Sequence, residues 1–132
     1  MFDSNISILV VDDMTTVRKV VVKCFKELGF SKFSEAEDGQ IAWELLDKSE
    51  PPIGLVVSDW NMPNMSGIEL LKRVRSDSRY SDTPFLLVTA ETEQSNVVEA
   101  VVAGVTDYLI KPFNPDSLKK KLISTYQKVQ KR

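Results

Sequence analysis

The chain has 132 residues, 42% hydrophobic and 27% charged, which fits one compact domain, residues 1–132, with a core of its own. A formal charge of -2 argues against the basic stripe of a nucleic-acid binder, and no apolar run approaches the ~20 residues of a membrane span. The lone Cys24 precludes an internal disulfide and suits a reducing, cytoplasmic compartment, and the absence of histidine removes imidazole bases and His-ligated zinc.

Ile6 to Val11 is a short β-branched run, as in a strand buried on both faces, and it stops at Asp12-Asp13. Thr15 or Thr16 can cap the next element. In it Val17, Val20, Val21, Cys24, Phe25 and Leu28 recur at helical spacing, ended by Gly29. Phe33 to Ala36 predicts a second strand, Asp38-Gly39 a turn, and Ile41, Ala42, Leu45 and Leu46 a second amphipathic helix. Leu55 to Ser58 is a third strand ending at Asp59. A loop through Asn61, Pro63, Asn64 and Ser66 follows, then a helix with Ile68, Leu71 and Val74 inward and Lys72, Arg73 and Arg75 outside.

Phe85 to Val88 predicts a fourth strand, ending at Thr89. Val97, Val98, Val101 and Val102 have helical spacing before Gly104, although valine is a poor helix former. Tyr108 to Ile110 is the fifth strand, ending at Lys111-Pro112. A last helix opens at Asn114 or Asp116 with Leu118, Leu122, Tyr126 and Val129 inward, and its lysines read as a solvated face. Strand and helix alternate five times. The expected fold is α/β, a five-stranded parallel sheet with helices on both faces, (βα)5 and flavodoxin-like, joined by right-handed crossovers.

In such a sheet ligands bind beyond the carboxyl ends of the strands. The first strand delivers Asp12 and Asp13 there, the third Asp59, the fourth Thr89 and the fifth Lys111. Singly, these read as a turn, a surface acid, a helix cap and a solvated lysine. Together they make a site. Crowded carboxylates repel, and a hard divalent cation such as Mg2+ relieves them through oxygen ligands. Asp59 is then a candidate nucleophile for a phosphoryl group, with Lys111 and Thr89 available for its equatorial oxygens.

The ordered stretches LVVDD, LVVSDWNMPNMSG, FLLVTAE and DYLIKPF resemble the receiver domains of two-component response regulators over essentially the whole chain. ELGFSKFSEAEDG and the WNMPNMSG loop are similar to stand-alone chemotaxis members in particular, although Met14 stands where those often carry Phe. The resemblance implies that Asp59 is the phospho-acceptor and that Asp12, Asp13, Asp59 and the Asn61 main-chain carbonyl hold Mg2+. It implies that Lys111 pairs with the phosphoryl group through a cis bond to Pro112, and that Thr89 and Tyr108 form the switch. The implied phosphodonor is a CheA-like histidine kinase, and the implied target a FliM-like flagellar motor switch protein, bound on the fourth helix, fifth strand and fifth helix. A phosphatase can complete the cycle. The protein itself is expected to be a monomer that binds neither nucleic acid nor membrane and has no enzymatic turnover beyond accepting and slowly losing the phosphoryl group.

Three alternatives remain at this point. The chain could be a phosphorelay intermediate or phosphate sink with the same chemistry. It could be a Mg2+-dependent aspartyl-phosphate phosphatase, against which Asn61 stands where a second acid would be needed. It could be a flavin-binding protein of the same fold, against which two acids follow the first strand instead of a hydroxyl-rich phosphate loop.

Overall fold

The computed structural model describes residues 2–89, 94–111 and 113–130, with residues 94–97 as backbone alone. The expected cis bond between Lys111 and Pro112 lies outside the described residues. The strands are β1 (Ser7–Val11), β2 (Lys32–Ala36), β3 (Leu55–Asp59), β4 (Phe85–Thr89) and β5 (Asp107–Ile110). The helices are α1 (Thr15–Glu27), α2 (Gly39–Lys48), α3 (Gly67–Ser76), α4 (Gln94–Val102) and α5 (Pro115–Gln130). All strand pairs are parallel, in the order β2-β1-β3-β4-β5.

The doubly wound reading is borne out, and the period of two explains its two cores. Along β1, Ile8 and Val10 enter the core shared with Phe25 of α1 and with Leu118 and Leu122 of α5. Leu9 and Val11 enter the other, with Leu46 of α2 and Leu71 and Val74 of α3. Cys24 is a buried core residue, as expected. The chain leaves β1 toward β2 on one side and returns to β3 on the other, so the carboxyl ends of β1 and β3 flank the reversal of winding, where open α/β sheets form their crevice.

Helix ends follow local chemistry, with one departure from expectation. Neither Thr15 nor Thr16 caps α1. Met14 stands at the cap position without a side-chain bond, and its N–H donates to Asp12 Oδ1 at 2.9 Å. Helix α3 starts with a capping box, in which Glu69 N donates to Ser66 Oγ at 3.2 Å and Ser66 N to Glu69 Oε1 at 3.4 Å. Asn114 does cap α5, accepting from Ser117 N at 2.8 Å. Gly29 (φ 101°) and Gly104 (φ 92°) end α1 and α4 in the left-handed conformation that glycine adopts without strain.

Helix α4 exists where the valines predict it, but Val98, Val101 and Val102 do not face the core. Val98, Val101 and Val102 are 59%, 63% and 82% exposed, whereas Ala100 is 1% exposed and Ala103 packs on the same core. Ala100 and Ala103 supply the side that meets the core, and the larger Val98, Val101 and Val102 turn outward. Two further readings need correction. Arg75 is not a solvated outer residue. Its guanidinium donates to the carbonyls of Gly104 (2.8 Å) and Thr83 (2.6 Å) and to Thr106 Oγ1 (3.1 Å), tying α3 to the end of α4 and the starts of β4 and β5. Nor are all lysines of α5 solvated. Lys121, half-buried, reaches Asp107, itself 3% exposed, at 3.4 Å beside Thr125 Oγ1 at 3.2 Å, while Lys128 reaches it at 3.0 Å and stays exposed as expected.

Arg75→Ala is expected to cost about 2–3 kcal/mol, since it strands carbonyls that a charged donor had satisfied. Urea unfolding checks this, and Arg75→Lys should recover less than half, because one ammonium cannot span three acceptors.

Candidate functional site

Strand register gathers the predicted groups. Val11 pairs with Ser58, so Asp12 and Asp59 are the next residues out on neighbouring strands. Asp59 pairs with Val88 and Thr89 with Ile110, so Thr89 and Lys111 lie at the adjoining ends of β4 and β5, with Lys111 N donating to Thr89 O at 2.7 Å. Each strand stops there because a polar residue interrupts an apolar run at the sheet's rim.

Carboxylate oxygens of Asp12, Asp13 and Asp59 lie within 4.8 Å of one another. Asp12 is buried, Asp59 half-buried and Asp13 exposed. The Lys111 ammonium bridges two of them, 3.2 Å from Asp12 Oδ2 and 3.3 Å from Asp59 Oδ1. Burial pushes the Asp59 carboxyl above its usual range and the Asp12 carboxylate adds to the rise, while Lys111 opposes it. The donor set is hard, anionic oxygen, and the acids outnumber the ammonium that reaches them. These residues fit a hard divalent cation and could hold one. Ten times its dissociation constant of such a cation should stabilise the protein by about 1.4 kcal/mol, and melting curves with Mg2+ or EDTA check this.

The remaining predicted residues stand around this cluster or apart from it. Asn61 is exposed in the loop after Asp59, and Thr89 is half-buried at the end of β4. Tyr108 is half-buried on the α4 side of the sheet and, at the β5 edge, lines a surface hollow of about 310 Å3 with Ile110 and with Ser117 and Lys121 of α5. The Lys121 ammonium is 5.2 Å from its ring centroid.

The sequence reading did not single out several supporting groups. Arg18 Nη1 donates to Asp12 O at 2.6 Å while its Nε meets Glu35 Oε1 at 3.4 Å, so α1 and β2 together brace the Asp12 backbone. Asp12 N donates to Ala36 O at 3.1 Å, so β2, which carries no site side chain, still positions one. Trp60 N donates to Asp59 Oδ1 at 2.9 Å and Ser58 Oγ to Asp59 O at 2.9 Å. Gly67 N donates to Trp60 O at 2.8 Å, and a Cβ on Gly67 would lie 2.2 Å from Asp59 O. No local sequence signal exposes these contacts, apart from the glycine itself beside the loop.

Residues 8–123 match the family described as response regulator receiver domain. The chain is 40% identical over 129 residues to chemotaxis protein CheY-3 of Vibrio cholerae, covering 98% of each. It is 44% identical over 115 residues to the chemotaxis protein CheY homolog of Campylobacter jejuni, covering 87% of this chain and 88% of that one. The structure of chemotaxis response regulator CheY4 of Vibrio cholerae matches with a TM-score of 0.83 at 36% identity, over 92% of this chain and 98% of that one. Among the described residues no helix is long and apolar enough to cross a membrane.

Proposed function

The chain belongs to the response regulator receiver domain family, and from that premise we propose that it is a single-domain chemotaxis regulator, phosphorylated on Asp59 with Mg2+ and read out by a partner protein. The observation that carries the reading is the Lys111 ammonium within 3.3 Å of both Asp12 and Asp59, in a cluster of three carboxylates. The match to CheY-3 spans 98% of that protein, which supports the single-domain reading.

An oxygen of Asp59 attacks the phosphorus of a phosphohistidine in line. The P–O bond forms as the P–N bond breaks, and the freed imidazole nitrogen takes up a proton. Asp12, Asp13, Asp59 and the Asn61 carbonyl are the proposed Mg2+ ligands. Bound there, Mg2+ neutralises the charge that builds on the phosphoryl oxygens. The Lys111 ammonium, already at Asp59, turns to a phosphoryl oxygen, and Thr89 at the neighbouring strand end closes on another.

The new group brings nearly two negative charges. Movement of Thr89 toward it makes room behind β4, and Tyr108 is the aromatic placed to respond. The exposed apolar side chains Val98, Val101 and Val102 on α4, Ile110 on β5 and Ile123 on α5 favour a target-binding readout over a phosphate sink. The proposed donor is a CheA-like kinase and the proposed target a FliM-like motor switch protein. On this reading the protein is a regulator that turns over only its own phosphoryl group.

Trp60, whose N–H holds Asp59, provides the assay. Mg2+ should change tryptophan emission saturably and reversibly with EDTA, and acetyl phosphate with Mg2+ should then add one phosphoryl group. No response up to ~10 mM Mg2+, with no mass gain, would overturn the reading.

A further inference from the structure

The loop after Asp59, residues 60–66, contains Asn61 and is held at its base by the Gly67 N to Trp60 O bond. Its far end does not hang free. Asn64 Nδ2 donates to Asp38 Oδ2 at 2.8 Å, and Gly39 N donates to Met65 O at 3.1 Å. Both contacts dock the loop on the start of α2, 26 residues earlier in the chain.

Asp38 is the N-cap of α2, its Oδ1 accepting from Ile41 N at 2.8 Å. A cap alone would need one acceptor, which Ser, Thr or Asn could supply as well. The second oxygen is what requires a carboxylate here, because Asn64 presents an N–H. The residue is 5% exposed, and its charge is held by N–H donors, the largest effect coming from Ile41 and a further one from Asn64. Asn64 has φ 66°, a left-handed backbone that Asn and Asp tolerate and most residues do not. Gly39 complements it, since a Cβ there would lie 2.6 Å from Met65 O.

We infer that Asp38 and Asn64 form a latch that fixes the loop beside Asp59, making Asp38 a positioning residue for the cation site. Asn61 lies between the two pins, one residue beyond Trp60 and three before Asn64, so the path of its main chain is set by both. With the latch broken, the loop keeps its base and the Gly39 N to Met65 O bond but loses its side-chain anchor, and the cation site loses preorganisation. The inference rests on the proposed Mg2+ site.

Charge exchange across the latch tests it. Asp38→Asn keeps an acceptor for Ile41 N and can still donate from Nδ2 to Asn64 Oδ1 once that amide turns over, so it serves as the background for the exchange. Asn64→Asp opposes two carboxylates. The double exchange Asp38→Asn/Asn64→Asp again sets a donor against an acceptor, with polarity reversed. Asn64→Gly removes the latch without touching the α2 cap and suits the left-handed backbone, so it serves even if Asp38→Asn fails to fold. Mg2+ titrations by tryptophan emission, beside melting curves in EDTA, are the readouts.

The expected result is Mg2+ affinity weakened about tenfold in Asn64→Asp and in Asn64→Gly, the scale of outer-shell losses at metal sites, and restored to within about threefold of wild type by the double exchange. Equal affinity in wild type, Asn64→Gly and the exchange variants would overturn the latch while leaving the Mg2+ site intact. Single losses that the exchange does not restore would also overturn it. Absence of Mg2+ binding by wild type would overturn the site and the latch together.

Discussion

Asp59→Asn should accept no phosphoryl group from acetyl phosphate and Mg2+ under conditions expected to label wild type, and in metal-free buffer near neutral pH it should melt a few degrees higher. The first result follows from the nucleophile, since an amide oxygen is too weak to form an acyl phosphate here. The second follows from electrostatics. Asp59 is half-buried beside Asp12, and both effects raise its pKa, burial the more. The native state therefore binds this proton more tightly than the unfolded chain does.

The sign fixes the pH window. Stability from the protonated form is fully present below the ordinary carboxyl value of 3.8 and is lost as pH climbs through the raised native value. The difference in melting temperature between the variant and wild type should be near zero below pH 3.8 and grow above it. Asp38 and Glu35, whose carboxyls are held low by hydrogen bonds, respond in the opposite sense, so the difference and not the wild-type curve isolates Asp59. The amide keeps an acceptor for Trp60 N, and Lys111 keeps Asp12, so little else changes. Mass gain in Asp59→Asn equal to wild type would remove Asp59 from its role, and a lower melting temperature across the range would remove the repulsion argument.

Gly67→Ala should be among the most damaging single-methyl additions in the molecule. The new carbon would meet Asp59 O at 2.2 Å and the Asp59 carbonyl carbon at 3.1 Å, backbone atoms of a central strand that cannot swing aside. Leu87 Cδ2, at 3.0 Å, closes another direction. Either α3 backs away from the sheet or β3 bends at its last residue. We expect a loss of about 3 kcal/mol, the upper range for overpacking, and a melting temperature lower by roughly 10 °C. Phosphorylation should slow as well, because Asp59 is the strand residue displaced. A variant with wild-type stability and labelling rate would show that this contact relaxes freely. Chemical denaturation and timed acetyl phosphate labelling supply both measurements.

The two predictions differ in where their basis is visible. Asp59 could be singled out from the chain alone, as a carboxylate closing an apolar run of strand length. Gly67 was visible only as a glycine before a helix, and its contact with Asp59 O exists only after α3 packs on β3. The capping box Ser66-x-x-Glu69 is legible in the letters. The orientation of α4 was not legible. Helical spacing of valines says that a face exists, whereas the alanine side is the one the sheet accepts.

Sequence by itself determined the alternation of elements, the parallel doubly wound sheet and the identity of the acids, hydroxyl and amine at the strand ends. These are local properties, because periodicity and the end of an apolar run are written within a few consecutive residues. Tertiary structure alone decided that Arg75 clamps α3 to Gly104, that Lys121 and Lys128 serve Asp107, and that Asp38 holds Asn64. Each of those pairings joins residues 14 to 29 positions apart. Their partners are chosen by how helices settle on a twisted sheet, a matter of packing in three dimensions for which no short stretch of chain carries a mark.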